Sequence, residues 1–387
     1  MINRLFSAIF QDPNKQFLFI AAVWVFLQVL LLKQFGIVTN FEASKYLAQA
    51  TLLIENGHYE SQNFIFYSTE ILLIAFCLKL NIGLWLVVAI QLVANAASVF
   101  FIYKLIHRFT QNSKVAFFGC LVFLAMYYYQ LYNVYLFTES LYFSLSIFFL
   151  YFLFTATTFT FSYLISILLF LMLLCITRPT GILFLPGTIF FLIFRFGKKR
   201  ALLFSAITII TGFTGFYFLL NAALDSGGEF DFLLPYIEEH VICGVPTARQ
   251  PNKLVMPVNK NSVEGLLYII QNNSELFLRL ARQRFIAFWG VQRPFYSGFH
   301  NAYIAIYFYL VYTLIILGIW KFARFYASHT VFILCYVSLM TITVMLSCDE
   351  WHNRFLFALL PFLLLLASGL FIKEQTEIFT SKNKKPA

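Results

Sequence analysis

The side chains that could do chemistry in this chain are a few charged groups in short polar segments between long apolar runs. Glu42 follows the first apolar run, and Glu139 lies in another short polar segment. A carboxylate at a membrane exit could accept the proton of an acceptor hydroxyl. Arg178 and Arg354 stand in comparable segments, and a guanidinium can bind a phosphate through two parallel hydrogen bonds. These residue types predict chemistry on a phosphate-containing substrate at one membrane face.

The elements that must position these groups are membrane-spanning helices. Of the 387 residues, 61% are hydrophobic and 11% are charged, and the mean hydropathy is +0.79, whereas soluble proteins carry about 25% charged residues. The apolar runs approach the roughly 20 residues that a helix needs to cross hydrocarbon, and they lack the alternation of a β-barrel. We therefore predict an all-α polytopic membrane protein with about ten transmembrane helices.

The charge pattern predicts which face each segment occupies. The net charge of +10 does not indicate a nucleic-acid partner, because the basic residues lie at the ends of apolar runs, as the positive-inside rule requires. This rule places both termini in the cytoplasm and all but three of the 17 acidic residues on the outer face. The six cysteines have no metal or redox spacing. Cys243 and Cys348 lie outside the apolar runs and could form a disulfide, which the sequence leaves open.

The same rule gives a topology for residues 1–372, which we interpret as one transmembrane domain followed by a basic cytoplasmic tail at 373–387. The first outer loop covers 34–83. Its apolar stretch at 64–80 is interpreted as an interfacial or re-entrant helix, because a full span there would move the next basic cluster outside. A long outer loop covers 224–300, with an amphipathic helix predicted over 263–289 on the outer leaflet. The predicted spans are 16–33, 84–104, 115–131, 140–157, 161–177, 182–195, 201–222, 302–320, 329–347 and 355–372.

Two acidic residues are candidates for catalysis. On a helix, Glu42 would share one face with Tyr46 and Gln49, which places a carboxylate and an aromatic ring side by side. The alternative is an acid that only complements a helix dipole. Glu139, in the loop at 132–139, is costly if it faces lipid and should therefore face a cavity. The alternative there is a headgroup-level acid beside interfacial tyrosines.

The cationic candidates lie at the outer ends of other predicted spans. Arg178 belongs to an Arg-Pro-Thr-Gly sequence at 178–181, and His352 and Arg354 lie in a polar run at 349–355. If Arg178 and Arg354 hold one phosphate, their side chains should converge in a cavity that also receives Glu42. The alternative for each arginine is a separate anchor that reaches the headgroups. A weaker candidate is Arg293, within 289–296.

Aromatic faces suit a sugar ring, and we predict sugar or acceptor contacts for three tyrosines. Tyr46 and Tyr67 lie in the first outer loop, and Tyr296 lies beside Arg293. No metal and no cofactor are predicted, because the sequence contains neither a Gly-rich nucleotide loop nor an Asp-x-Asp pair.

Several of these motifs, in this order, resemble the GT-C glycosyltransferase superfamily, which includes protein mannosyltransferases and bacterial aminoarabinose transferases. The resemblance rests on acid-x-x-x-Tyr-x-x-x-Ala from Glu42, then Gly-x-Tyr at 57–59, Thr-Glu-Ser-Leu at 138–141, Arg-Pro-Thr-Gly at 178–181 and His-x-Arg-Phe at 352–355. It implies that Glu42 is the catalytic base. Three positions depart from the family pattern. Glu42 stands where the family has the Asp of an Asp-Glu pair, and Ala43 replaces the second acid of that pair. Tyr67-Ser68-Thr69 stands where the aminoarabinose branch has a phosphate-binding lysine.

The resemblance implies a glycosyltransferase that uses a polyprenyl-phosphate sugar donor and a glycan, lipid or protein acceptor. The reaction would take place at the outer face of a bacterial cytoplasmic (inner) membrane. One alternative is a lipid or solute transporter or flippase, which usually carries charges in mid-membrane and internal repeats. Another is an envelope-polysaccharide polymerase, which would need two Arg-dominated outer loops where this chain has one.

Overall fold

The computed structural model describes residues 12–197, 233–247, 253–257 and 262–373, with six single positions between 206 and 221. Over these ranges no β-strand forms, and the backbone pairs only through isolated bridges. The α-helices, in chain order, are α1 (Pro13–Phe35), α2 (Glu42–Asn56), α3 (Ser68–Lys79), α4 (Trp85–Thr110), α5 (Ser113–Ala125), α6 (Tyr127–Gln130), α7 (Thr138–Thr155), α8 (Phe161–Thr177), α9 (Phe184–Phe196), α10 (Leu234–Ile237), α11 (Val263–Asn272), α12 (Ser274–Gly290), α13 (Gly298–Phe325), α14 (Ala327–Leu346) and α15 (Arg354–Ser368).

Seven helices in the described ranges are long and apolar enough to span a membrane. They are α1, α4, α7, α13 and α14, together with α9 and α15 when their adjoining 3₁₀ turns are counted. The seven coincide with seven of the ten spans predicted from the sequence. The chain is therefore a polytopic helical membrane protein.

The remaining three predicted spans have different outcomes. The third corresponds to α5 followed by residues 127–134, and the chain bends by 72° between them. The fifth corresponds to α8, which is apolar but has only 17 residues. The seventh, at 201–222, lies outside the described residues except for single positions, as do residues 1–11, 224–232 and 374–387. The number of ten spans and the sidedness of the tail stay predictions.

The first outer loop contains two short helices, and no helix there is long enough to cross the bilayer. With 12 residues, α3 is roughly 18 Å long, well short of a hydrocarbon core of about 30 Å. It packs along α2. Glu70 of α3 is fully buried, and its carboxylate accepts a hydrogen bond of 3.3 Å from the Gln91 amide of α4. This geometry fits an interfacial or re-entrant helix, because α3 is short and its acid points inward.

The single amphipathic helix predicted over 263–289 is wrong, because the chain forms two helices, α11 and α12, that meet at Asn273. The Asn273 amide donates to the Ile269 carbonyl at 2.8 Å, and such a bond competes with helix continuation. α12 packs against α14. Its Arg284 is fully buried and donates to backbone carbonyls of Pro235, His240, Met345 and Leu346. Arg284 therefore contacts protein, whereas Arg279 and Arg282 of the same helix are exposed.

Cys243 and Cys348 form a disulfide, with 5.2 Å between their Cα atoms. Two backbone hydrogen bonds flank it: the Cys243 N–H donates to the Asp349 carbonyl at 2.8 Å, and the Asp349 N–H donates to the Val241 carbonyl at 2.9 Å. The pairing that the sequence left open is thus formed. It joins the long loop to the segment that precedes α15.

α15 is the central helix of the bundle, and every residue in it except Phe355 is buried. It packs against α4, α5, α7, α13 and α14. Just beyond the C-terminal end of α15, Gly318 of α13 packs against the chain so closely that a Cβ added at Gly318 would lie 2.5 Å from the Leu370 nitrogen. Helices in membranes approach this closely only through small residues. Arg354, the first residue of α15, therefore stands at the end of a firmly held helix.

Candidate active site

Glu42 is the first residue of α2, and backbone pairing of the preceding segment brings it towards Glu139. The Val38 N–H donates to the Val134 carbonyl at 2.9 Å, and the Leu136 N–H donates to the Val38 carbonyl at 3.2 Å. Val134 and Leu136 lie just before α7, in whose first turn Glu139 stands. The two acids come from distant parts of the chain, and this short parallel pairing holds their helix starts together.

Arg178 lies in extended conformation between α8 and the 3₁₀ turn Pro179–Leu183, as expected for a residue that precedes proline. Its carbonyl accepts a hydrogen bond of 2.9 Å from Gly181. A Cβ at Gly181 would lie 2.3 Å from the Leu174 carbonyl carbon, so only glycine fits there. The Arg-Pro-Thr-Gly sequence is therefore a tight turn that fixes the direction of the arginine.

Arg354 follows two residues in left-handed conformation, His352 (φ 58°) and Asn353 (φ 57°). This conformation is uncommon for residues other than glycine, although asparagine tolerates it better than most. The Asn353 amide donates to the Val291 carbonyl at 3.0 Å, which holds the turn in place. Such conformations persist only where surrounding contacts maintain them, and they concentrate at functional sites.

These elements bring three carboxylates and two guanidinium groups together. Arg354 binds Glu42 through two bonds, with Nη1 donating to Oε2 at 2.5 Å and Nη2 donating to Oε1 at 2.7 Å. Its Nη1 also donates to Oε1 of Glu139 at 3.0 Å, and its Nη2 pairs with Glu350. Arg178 pairs with the same Oε1 of Glu139. The two arginines predicted to converge thus meet on one carboxylate oxygen, beside Glu42.

The cluster balances acid against base. Three carboxylates face two guanidinium groups, and Lys45 on α2 adds a third cation that acts on Glu42. Burial acts to raise the pKa of Glu42, but the adjacent Arg354 guanidinium overcomes this effect and lowers that pKa to about 2. Over the described residues, Oε2 of Glu139 and Nε of Arg354 are buried without a hydrogen-bond partner. The cluster therefore keeps one hydrogen-bond acceptor and one donor that its own members do not satisfy.

A cavity of about 640 Å³ opens beside Arg354. One part of its wall is polar, with Glu42, Lys45, His352 and Arg354, and the rest is mostly aromatic. Glu139 and Arg178 do not line it; they contact the cluster from the protein side. The other lining residues are Phe41, Tyr128, Leu131, Tyr132, Tyr135, Phe137, Tyr296, His300, Trp351 and Phe357.

Aromatic rings on the cavity wall are stacked in a column. The His300 ring lies between Tyr128, at 3.7 Å between ring centroids, and Tyr296, at 3.6 Å. Tyr296 in turn stacks on His352 at 5.9 Å. Nε2 of His300 is buried, and no described residue accepts from it or donates to it. Stacking covers the ring faces of His300 and Tyr296, so the column leaves flat faces for a ring-shaped ligand only at its two ends, Tyr128 and His352.

Three residues predicted for the site do not line the cavity. Tyr46 is buried and packs on Tyr67 at 5.6 Å between ring centroids, and neither residue lines the cavity. Arg293 is fully buried, pairs with Asp349, and donates to the Ala287 carbonyl at 3.0 Å. All three therefore support the elements around the cavity without facing it. Glu42, Glu139, Arg178 and Arg354 form the charge cluster, and His352 and Tyr296 line the cavity.

Sequence reasoning did not assign Glu350, Lys45 or His300 to the site. Glu350 stands four residues before Arg354, a spacing that can pair the two across a turn, and this signal was present in the sequence. Lys45 stands one turn after Glu42, beside the candidate base. No sequence feature indicated His300, because its stacking on Tyr128 depends on how the start of α13 packs against α6.

The described ranges contain no group of three or more His, Cys, Asp or Glu side chains that could hold a metal ion. The three carboxylates of the cluster instead converge on the Arg354 guanidinium. Comparison with known proteins finds no matching family model, no matching curated protein and no matching solved structure. The function is therefore argued from the geometry of the site.

Proposed function

We propose that this chain is a GT-C-type membrane glycosyltransferase. It would move a sugar from a polyprenyl-phosphate donor to a glycan, lipid or protein acceptor at the outer face of a bacterial cytoplasmic membrane. The observation that carries the proposal is the Arg354 guanidinium, bound by three carboxylates where a cavity lined with aromatic rings begins. Such a cavity combines a candidate base, a phosphate-binding fork and flat faces for a sugar.

The transfer step follows from the roles of Glu42 and Arg354. The acceptor hydroxyl gives its proton to Glu42, and its oxygen forms a bond to the anomeric carbon of the sugar. The bond from that carbon to the phosphate oxygen breaks, and polyprenyl phosphate leaves with the electron pair. Arg354 stabilises the negative charge that develops on the departing phosphate. Proton, sugar and leaving group are all accounted for without a further reactant.

The ion pair explains how Glu42 becomes a useful base. Bound to Arg354, its pKa is about 2, and a carboxylate that acidic accepts protons poorly at neutral pH. A donor phosphate competes for the same two N–H groups, because carboxylate and phosphate bind a guanidinium with the same geometry. When Arg354 turns to the phosphate, Glu42 loses its nearest cation and its pKa rises. Donor binding therefore activates the base.

Glu139 and Arg178 support this exchange. Glu139 is fully buried and bridges the two arginines through one oxygen, so Arg354 keeps Glu139, as well as Glu350, as an acidic partner when it leaves Glu42. Arg178 in turn balances the charge of Glu139. On this proposal Glu139 and Arg178 act as positioning residues, while Glu42 and Arg354 touch the reacting groups.

The Cys243–Cys348 disulfide supports an outer location for this face, because disulfides persist mainly in oxidising compartments. Tags placed near Lys253 should therefore report the outside, and tags after Arg108, after Lys199 and at Ala387 should report the cytoplasm. The measurement is a paired phosphatase and fluorescent-protein fusion assay at each position. A cytoplasmic signal near Lys253 would reverse the orientation and remove the proposal.

The proposal is tested with the full chain in proteoliposomes and a panel of isotopically labelled polyprenyl-phosphate sugars. Wild-type protein should release free polyprenyl phosphate from at least one donor and transfer the label to an acceptor. The Glu42→Gln variant should not, whereas Glu55→Gln, an exposed acid on the same helix, should match the wild type. If labelled lipid crosses the bilayer without losing its sugar, the chain is a flippase and the proposal fails.

A further inference from the structure

A second cavity lies at the opposite end of the helix bundle from the charge cluster. It has a volume of about 310 Å³ and is formed by the ends of α4 and α9 and by the junction of α13 with α14. Its lining residues are Arg108, Phe109, Phe194, Arg195, Phe325, Tyr326, Ala327, Ser328 and His329. We call it the basic pocket.

Three helices show that the two cavities stand far apart. In α4, Gln91 contacts the carbonyl of Phe137 beside the cluster, and Arg108 follows 17 positions later, roughly 25 Å along the helix. Arg178 belongs to the cluster and precedes α9, whereas Arg195 lies near the end of α9 and lines the basic pocket. These two arginines are also 17 residues apart. α14 runs from the basic pocket at Ala327 to Leu346, next to the disulfide segment. The basic pocket is thus at the other membrane face.

Among the residues that the structure describes, the lining of the basic pocket includes two arginines and no acidic residue. Arg108 and Arg195 come from different helices, and within the described ranges neither guanidinium pairs with a carboxylate. The pocket also receives the start of α14, a helix of 20 residues without a side-chain cap. The first N–H groups of a helix carry partial positive charge. All of these groups favour an anion.

The floor of the basic pocket is rigid. The Phe109 ring packs edge-on against Tyr326 and His329, at 4.7 and 5.3 Å between ring centroids. The Tyr326 hydroxyl donates to the Phe109 carbonyl at 3.1 Å. His329 is itself buried and contacts the Ser328 hydroxyl at 3.3 Å. The arginines therefore border a preformed cavity, which is more than a pair of flexible surface anchors would provide.

We propose that the basic pocket binds the phosphate of an anionic phospholipid. Basic pockets between transmembrane helices recognise such headgroups. A lipid is favoured over free phosphate because Phe194 and Phe325 at the rim are 63% and 41% exposed, which leaves apolar surface for acyl chains beside the cationic groups. This site does not rest on the proposed glycosyltransferase activity.

The test is native mass spectrometry of the full chain in detergent, titrated with phosphatidylglycerol, phosphatidylcholine or inorganic phosphate. Wild-type protein should retain one phosphatidylglycerol more tightly than phosphatidylcholine. The double variant Arg108→Gln/Arg195→Gln should bind it roughly tenfold more weakly or worse. The control Lys104→Gln/Lys321→Gln removes two charges near the same end of the bundle but outside the pocket, and should bind like the wild type.

Each alternative gives a distinct result. Equal retention of phosphatidylcholine and phosphatidylglycerol by the wild type would overturn the proposal, even if the double variant fails to fold. An equal loss in the pocket and control variants would assign the arginines to general surface charge. Tight binding of inorganic phosphate alone, with no preference for the lipid, would replace the lipid with a soluble anion and overturn the lipid assignment.

Discussion

Arg354 and Arg293 are both buried arginines that bind carboxylates, yet their surroundings differ. Arg293 pairs with one acid, Asp349, and its other contacts are backbone carbonyls in a region that lines no described cavity. Arg354 contacts three carboxylates and faces a cavity of about 640 Å³. Burial and pairing are common to both. Contact with several carboxylates and access to a cavity separate the candidate site from the scaffold.

The same contrast applies to the acids. Asp349 is fully buried beside the disulfide segment, and its backbone is fixed by two hydrogen bonds. Glu42 starts a helix and keeps about a quarter of its side chain exposed, 27%. A scaffold pair is held in one arrangement, whereas the proposed mechanism requires Glu42 to exchange its partner. The predictions below test this distinction.

The largest expected effect is on transfer. Glu42→Gln removes the proton acceptor while keeping the side-chain volume, so the rate of sugar transfer should fall about 10²–10⁴-fold. Donor binding should be retained or become tighter, because Arg354 keeps its charge and no longer pairs with a carboxylate at position 42. The measurement is single-turnover transfer in proteoliposomes, with Glu55→Gln as the control. Near-normal turnover by Glu42→Gln would move the role of base to another acid of the cluster.

The next largest effect concerns the free energy of unfolding and involves Arg293. Asp349→Ala leaves the Arg293 charge buried without its acidic partner, which costs about 3–5 kcal/mol for a buried pair. The control Arg279→Ala breaks an exposed pair with Glu239, where about 0–1 kcal/mol is expected. Unfolding in mixed detergent measures both. Equal losses would mean that the Arg293 pair is not a scaffold element.

The sequence predicted the members of the candidate cluster better than their arrangement. The polar segments that carry Glu42, Glu139, Arg178 and Arg354 could be recognised because charge among apolar runs is expensive. Their mutual contacts depend on the Val38 pairing and on the left-handed turn at 352–353. No periodicity encodes either feature.

The fold was predictable where one physical rule governs a long segment. Seven helices match predicted spans because hydropathy and helix length are set by the bilayer. The break at Asn273 was missed, since the apolar spacing continues across it and the break is marked by hydrogen bonds of one side chain, to the Ile269 carbonyl and to the Val255 backbone. The same limit applied to Arg293. Its position beside aromatic residues suggested a ligand, whereas its actual partner, Asp349, is 56 residues away.

A smaller effect should distinguish the two arginines by geometry alone. Arg354→Lys keeps the charge but cannot bind a phosphate through two parallel bonds, so donor affinity should fall about tenfold, the equivalent of one charged hydrogen bond. Arg293→Lys should leave donor affinity unchanged and lower thermal stability. Binding of a labelled polyprenyl-phosphate sugar measures the first, and thermal unfolding measures the second. If both variants lost donor affinity equally, the contrast between site and scaffold would be wrong.

The smallest expected effect is a pH dependence of opposite sign in the two regions. Burial acts to raise the folded pKa of Glu42, but the charge and hydrogen bonds of Arg354, together with the other nearby cations, outweigh it and lower that pKa from 4.5 to about 2. Its contribution to stability is therefore present above pH 4.5 and is lost as the pH falls towards 2. Burial raises the pKa of Asp349 from 3.8 to about 6, against the opposing charge of Arg293. The folded state then keeps a proton that the unfolded state has released, so this contribution decreases as the pH rises from 3.8 to about 6.

Thermal unfolding of the wild type, Glu42→Gln and Asp349→Asn across this pH range separates the two contributions. The advantage of the wild type over Glu42→Gln should grow as the pH rises to about 5, whereas the wild type should lose stability relative to Asp349→Asn between about pH 4 and 6. Neutral amides at both positions remove the titrating proton with little change in volume, so each difference reports one carboxyl group. Two differences with the same sign would mean that burial governs the pKa of both acids. Arg354 would then not lower the pKa of Glu42, and donor binding could not raise it again by drawing Arg354 away.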